Sequence, residues 1–238
     1  LVTWALRRGM VESARWTAAA DRARSVGDGV RALFRGANLR ALVWTATIYT
    51  FWGLAAGTAG IFTPYMIETL GAGSQSAGVA LSCAGFVITI VAVVFLFMRY
   101  NDRSYRTRRI MWGVGALLQI SAYGIYLVLP FTVPVVIANI VLFGIGASLA
   151  GEPTYKVFSQ ELFPTMLRGT AQGFTFGVAR TLLGIWSFFV PVLAAVEIGP
   201  VALLLTAFLA VSGVVGFFFM PDTVGKPLEQ IERERAAA

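Results

Sequence analysis

Six apolar blocks, each about twenty residues long, constrain the fold of this chain more than any other feature, because that is the length a helix needs to cross a hydrocarbon core roughly 30 Å thick. They run approximately Ala41 to Pro64, Gly78 to Met98, Ile110 to Leu129, Val133 to Gly151, Gly173 to Val196, and Pro200 to Met220. Outer-membrane barrels instead show segments of about ten residues in which apolar and polar side chains alternate, and no such alternation runs through these blocks. With 13% charged and 57% hydrophobic residues, the chain carries far less charge than a soluble domain, which has about a quarter. The expectation is an all-α membrane protein with three parts: a cytoplasmic segment over 1–40 that includes the end of a preceding helix, a bundle of six transmembrane helices over 41–220, and a cytoplasmic tail over 221–238.

Arg and Lys are retained on the cytoplasmic side of a membrane, so their distribution predicts orientation. All but Lys156 and Arg180 fall in the leading segment, in the loop after the second block, at Arg168, or after the sixth block. The opposite loops hold none. Both termini are therefore expected to be cytoplasmic. A net charge of +7 raises the question of nucleic acid, but the arginines flank spans and lack the interleaved aromatics of a base-stacking platform. Attraction to anionic lipid headgroups is the natural secondary effect. The absence of histidine removes His-based catalysis and the usual zinc sites, and a lone Cys83 excludes an internal disulfide framework and reads as a small buried hydrophobe. No cofactor or metal is expected. The chain opens on Leu1 rather than Met and reads as part of something longer.

Lys156 and Arg180 are the basic residues that orientation does not explain. Arg180 lies twelve residues past Arg168, about 18 Å along a helix and so near the midplane, where an ionisable group marks a functional site by default. Glu152 sits four residues before Lys156, on the same helix face. Two readings stand side by side: a structural Glu152–Arg180 pair with Lys156 snorkelling to the interface, or a set in which Glu152, Lys156 and Arg180 touch substrate or a coupling proton. Tyr49, Trp52, Tyr65 and Trp186 are candidate cavity-lining aromatics. Gly53, Gly57 and Gly60, and Gly144 with Ala147, Ser148 and Gly151, offer small surfaces for close helix packing, with Pro64 and Pro153 as points of bending.

The stretch Glu161-Leu162-Phe163-Pro164-Thr165, followed by Arg168-Gly169, resembles the connection between the tenth and eleventh helices of major facilitator transporters, which in the sugar-porter branch and related metabolite:proton symporters reads E-[IL]-F-P-T-x-x-R-G. Pro221-Asp222-Thr223 with Gly225-Lys226 and Leu228-Glu229-Gln230-Ile231 is similar to the signature after their twelfth helix, and Glu12-Ser13-Ala14-Arg15-Trp16 to the one after their sixth, without its prolines. Asp102-Arg103 with Arg108-Arg109 looks like a degraded copy of the G-x-x-x-D-R-x-G-R-R loop. The resemblance implies the C-terminal six-helix half of a major facilitator fold, a missing N-terminal half as partner, and a cytoplasmic gate formed by Asp102, Arg103, Glu161 and Arg168. The amide-rich Q-Q-x-x-G-x-N stretch of sugar porters is replaced by Phe51-Trp52-Gly53-Leu54-Ala55-Ala56-Gly57, which argues against an ordinary hexose. The expected function is secondary transport of a small polar metabolite, an organic anion or a polyol, coupled to protons, in a bacterial cytoplasmic membrane. A sugar/proton symporter and a non-transporting receptor-like six-span protein are the alternatives.

Overall fold

The computed structural model describes residues 26–237 apart from residue 196. The signature at residues 12–16 and the arginines before residue 26 lie outside the described residues. Among those described there is no strand; the chain is a succession of helices. A short helix α1 (Val26–Leu33) leads through Gly36, whose φ of 51° suits glycine, into α2 (Gly36–Thr69). At 34 residues, α2 is about 51 Å long. It continues past Pro64 and ends where Gly71, at φ 73°, reverses the chain. Ser74 caps α3 (Gln75–Ala92) by accepting from the Ala77 N–H at 3.2 Å, and α3 runs on through a π turn (Val93–Phe97) to Tyr100. Ser104 caps α4 (Tyr105–Gly124) in the same way through Thr107, so both helices start where the sequence supplies a serine cap.

The fourth apolar block differs from expectation. Helix α5 (Val133–Ala150) ends with the block, but the helical path does not: the chain leaves helical geometry at Gly151 alone and resumes as α6 (Glu152–Glu161). Pro153, in the first turn of α6, has no N–H to continue the α5 ladder. Thr154 Oγ1 donates to the Leu149 carbonyl at 2.9 Å, occupying an acceptor that the break leaves free. After the Glu161–Arg168 connection come α7 (Arg168–Ala194), α8 (Gly199–Phe218) and, beyond the bend at Gly225, α9 (Leu228–Ala237).

Five helical stretches are long and apolar enough to cross a membrane: Gln75–Tyr100, Tyr105–Leu127, Val133–Glu161, Arg168–Ala194 and Gly199–Phe218. α2, which contains the first apolar block, has the length but not the hydropathy. Thr45, Thr47, Tyr49, Thr50 and Trp52 dilute it; Thr45 and Thr50 are buried in the bundle, while Tyr49, Trp52 and the small residues Gly53, Ala56, Gly57 and Gly60 line a cavity.

In the bundle α4 packs on α5 and α8, α2 on α7 and α8, and α3 on α5 and α2. Small residues set the closest approaches. A Cβ at Gly115 would stand 2.7 Å from Leu149 Cβ, and one at Gly146 would stand 2.6 Å from Gln119 Cγ, so α4 and α5 meet almost backbone to backbone. Gln119 then bridges them, donating to the Ala150 carbonyl at 3.1 Å. Cys83 is exposed rather than buried, because it lies on a face of α3 that no other described helix covers.

Candidate functional site

A cavity of about 680 Å³ lies between α2, α3, α5, α6 and α7, within the range of small-molecule sites. Glu152, Lys156 and Arg180 all line it. The break at Gly151 puts Glu152 in the first turn of α6, where the positive end of the helix dipole favours a carboxylate. A Cβ at Gly151 would come within 2.8 Å of Trp52 Nε1, so glycine lets the Trp52 indole from α2 seal the bend.

Of the two readings of the charged set, the structure does not form the Glu152–Arg180 pair. Among the described residues no ion pair joins them; Glu152 instead meets Lys156 at 3.8 Å, with the two side chains 43% and 45% exposed. An exposed i,i+4 contact of this kind is worth about 0.3–0.5 kcal/mol, too little to lock either group. The Lys156 ammonium also rests 4.3 Å from the centre of the Phe176 ring. Arg180 stands beside the Tyr49 hydroxyl, which stacks on Tyr155 with 4.2 Å between ring centres.

Tyr49 and Trp52 line the cavity; Tyr65 and Trp186 do not. Trp186 is turned into the core, donating to Thr58 Oγ1 at 2.8 Å and packing edge-on against Phe208, while Tyr65 meets the edge of Phe62. The glycines also divide. Gly57 packs against Leu183 and Gly144 against Ile88, but Gly53 and Gly60 have nothing within 4 Å of a built Cβ and form open cavity wall.

A second cluster lies at the far end of α4 and α6. Arg108, 1% exposed, donates to Glu161 Oε2 at 2.9 Å, to Asp102 Oδ1 at 3.0 Å, to Thr223 Oγ1 at 3.0 Å and to the Asn101 carbonyl at 3.0 Å. Thr223 in turn donates to Glu161 at 2.6 Å. The loop before α4, the end of α6 and the segment after α8 are thus tied to one guanidinium. Of the four gate candidates, Asp102 and Glu161 converge on it. Arg103 lies over the Tyr100 ring at 4.5 Å, and Arg168 donates to the Phe163 carbonyl at 2.9 Å. Arg108 itself was not among the candidates. The signal for it was present: Arg108, Trp112, Gly115 and Gln119 share one helical face, and that face is buried.

The family model for sugar (and other) transporters matches residues 9–234. The chain belongs to this family, the sugar-porter family of the major facilitator superfamily. It is accordingly an integral membrane protein of a transporter family rather than an enzyme. It is similar to the minor myo-inositol transporter IolF of Bacillus subtilis, with 32% identity over 85% of this chain and 46% of that protein. It is also similar to the probable metabolite transport protein CsbC of Bacillus subtilis, 30% identical over 72% of this chain and 38% of that protein. Polyol transporter 5 of Arabidopsis thaliana is 28% identical over 72% of this chain and 34% of its own length. The chain spans less than half the length of each of these relatives.

Proposed function

We propose that the chain forms the C-terminal six-helix half of a secondary transporter that carries a small polar metabolite across a bacterial cytoplasmic membrane by alternating access. The observation that supports this reading is the cavity that holds Glu152, Lys156 and Arg180 together beside the break at Gly151. Ionisable groups at a discontinuous helix are the usual makings of a transport site. A preceding half would supply the opposite wall, α2 would be the sixth span, and both termini would be cytoplasmic, as the basic residues indicate.

In this reading Lys156 and Arg180 attract substrate, and Glu152 exchanges its contact with Lys156 for a proton. Loose pairing at 3.8 Å suits such an exchange better than a buried bidentate pair would. The Arg108 cluster keeps the cytoplasmic ends of α4, α6 and α8 moving as one body, so that Asp102, Arg103 and Arg168 present a coherent gate surface. The related inositol and polyol transporters support hydroxylated metabolites as the substrate range.

The test is substrate-dependent proton uptake by the intact transporter in liposomes, read with an internal pH dye. Uptake is expected on adding a transported metabolite. A pH trace that ignores metabolites which do accumulate would remove proton coupling.

A further inference from the structure

The cavity is lined by charged side chains from α6 and α7 and by uncharged polar side chains from α3 and α5, and together they select a ligand. We propose that the site takes a polyhydroxylated monocarboxylate, its carboxylate held by Lys156 and Arg180 and its hydroxyls by Ser82, Thr89 and Asn139. This rests on the cavity being the transport site.

Among the described lining side chains, Lys156 and Arg180 accompany a single carboxylate, Glu152, so this chain's share of the wall carries one positive charge in excess. The Lys156 ammonium touches Glu152 only at 3.8 Å with both side chains nearly half exposed. An ammonium has three donors and a guanidinium five, and neither group is saturated by such a contact. A ligand carboxylate supplies both the missing charge and acceptors for those donors, in charge-assisted bonds stronger than neutral ones.

The uncharged polar side chains on α3 and α5 have a different need. Ser82 Oγ spends its one proton on the Gly78 carbonyl at 2.9 Å, and Thr89 Oγ1 spends its own on Gly85 at 2.9 Å. Asn139 donates one of its two amide N–H groups to the Ala122 carbonyl across the α4–α5 interface. What Ser82 and Thr89 retain for the cavity is acceptor capacity, and Asn139 adds its carbonyl oxygen and one remaining amide N–H. A wall of acceptors is matched by a ligand rich in O–H donors and poorly matched by an aliphatic acid, which would displace water from the acceptors and return nothing. Ser82 and Thr89 are seven residues apart, about 10 Å along α3, a span suited to a chain of sugar length. Gly53 and Gly60, with no atom within 4 Å of a built Cβ, leave a flat surface for its carbon backbone.

The experiment uses the intact transporter in proteoliposomes and compares D-gluconate with D-glucitol, which has the same chain with the carboxylate replaced by a hydroxymethyl group; myo-inositol and hexanoate are included. Gluconate should be taken up with at least tenfold higher kcat/KM than glucitol, and hexanoate should not compete. In Lys156→Met and Arg180→Met the gluconate preference should fall to within about threefold, and Lys156→Arg should restore it in part. Size-exclusion profiles screen out variants that misfold. If glucitol or inositol is carried as well as gluconate or better by the unaltered protein, the carboxylate assignment is wrong while transport by this cavity stands. If hexanoate matches gluconate, the hydroxyl wall is wrong. If none of the four is carried or competes, both this inference and the assignment of the cavity to hydroxylated metabolites fail.

Discussion

Replacing Arg108 with methionine should unfasten the end of the bundle where α4, α6 and the segment after α8 meet, and the size of the effect follows from what the guanidinium touches. Methionine keeps the aliphatic stem beside Phe158, whose ring centre lies 5.2 Å from the guanidinium, so the change removes charge more than volume. Glu161, with 21% of its side chain exposed, would be left with the Thr223 hydroxyl but no cation. Stranding one partner of a buried pair costs about 3–5 kcal/mol. The partial exposure and the remaining hydroxyl bond put this case near the lower end, about 3 kcal/mol. Asp102 adds little, being 81% exposed. A loss of that size corresponds to a fall of roughly 6–12 °C in the thermal midpoint. The assay is thermal unfolding in detergent of the unaltered protein, Arg108→Met, Glu161→Gln and the double variant. Removing both charges should recover at least about 1.5 kcal/mol relative to the sum of the single changes. Additivity within about 0.5 kcal/mol would refute the coupling.

Gly151→Ala should cost about 1–3 kcal/mol, because its methyl group meets the Trp52 indole and the Ala147 carbonyl; an unchanged thermal midpoint would mean that the bend adjusts freely. Asp102→Lys should change stability by less than about 0.5 kcal/mol yet shift the inward/outward balance, measured by cysteine accessibility in both vestibules, and unchanged accessibility would count against a gating role. The tail should respond to pH. A hydrogen bond from Lys226, with a second from Gln230, holds the Glu234 carboxyl below its ordinary range, and the bond to Glu234 raises Lys226. The Glu234 contribution is complete above the ordinary carboxylate range and lost as pH falls through its depressed value; the Lys226 contribution is complete below the ordinary lysine range and lost as pH rises through its raised value. A spin label on α9 should therefore be least mobile between those limits and loosen on either side, most visibly at low salt.

The apolar blocks were legible because hydrocarbon imposes their length: the first two lie within longer helices, and each of the other four covers most of a helix but overruns its end by a residue or two. What they could not reveal is where a helix outlasts the hydrocarbon. α2 extends five residues before Ala41 and five beyond Pro64, and α6 carries on from the fourth block as a polar helix ending at Glu161. The family was legible in Glu161 to Gly169 and Pro221 to Ile231, because irregular connections carry motifs that helices do not. The sequence singles out Glu152, Lys156 and Arg180 as charges in or beside apolar blocks, and the three line one cavity; their pairing depends on side-chain direction, since Lys156 is one turn from Glu152 on the same helix and Arg180 turns toward Tyr49 on another. Arg108 was read with its neighbours as an orientation signal, although its register with Trp112 already placed it on the buried face. Tyr65 and Trp186 show the converse, since an aromatic in a span has no pattern that separates a cavity wall from packing.

The central claim, that this charged cavity carries substrate, is tested most directly by metabolite accumulation in proteoliposomes under an imposed proton gradient, with the intact transporter, Glu152→Gln and Arg180→Ala compared at equal reconstitution. The account predicts accumulation by the unaltered protein that collapses on adding a protonophore, and at least a tenfold loss in each variant. Accumulation unchanged in both Glu152→Gln and Arg180→Ala would contradict it.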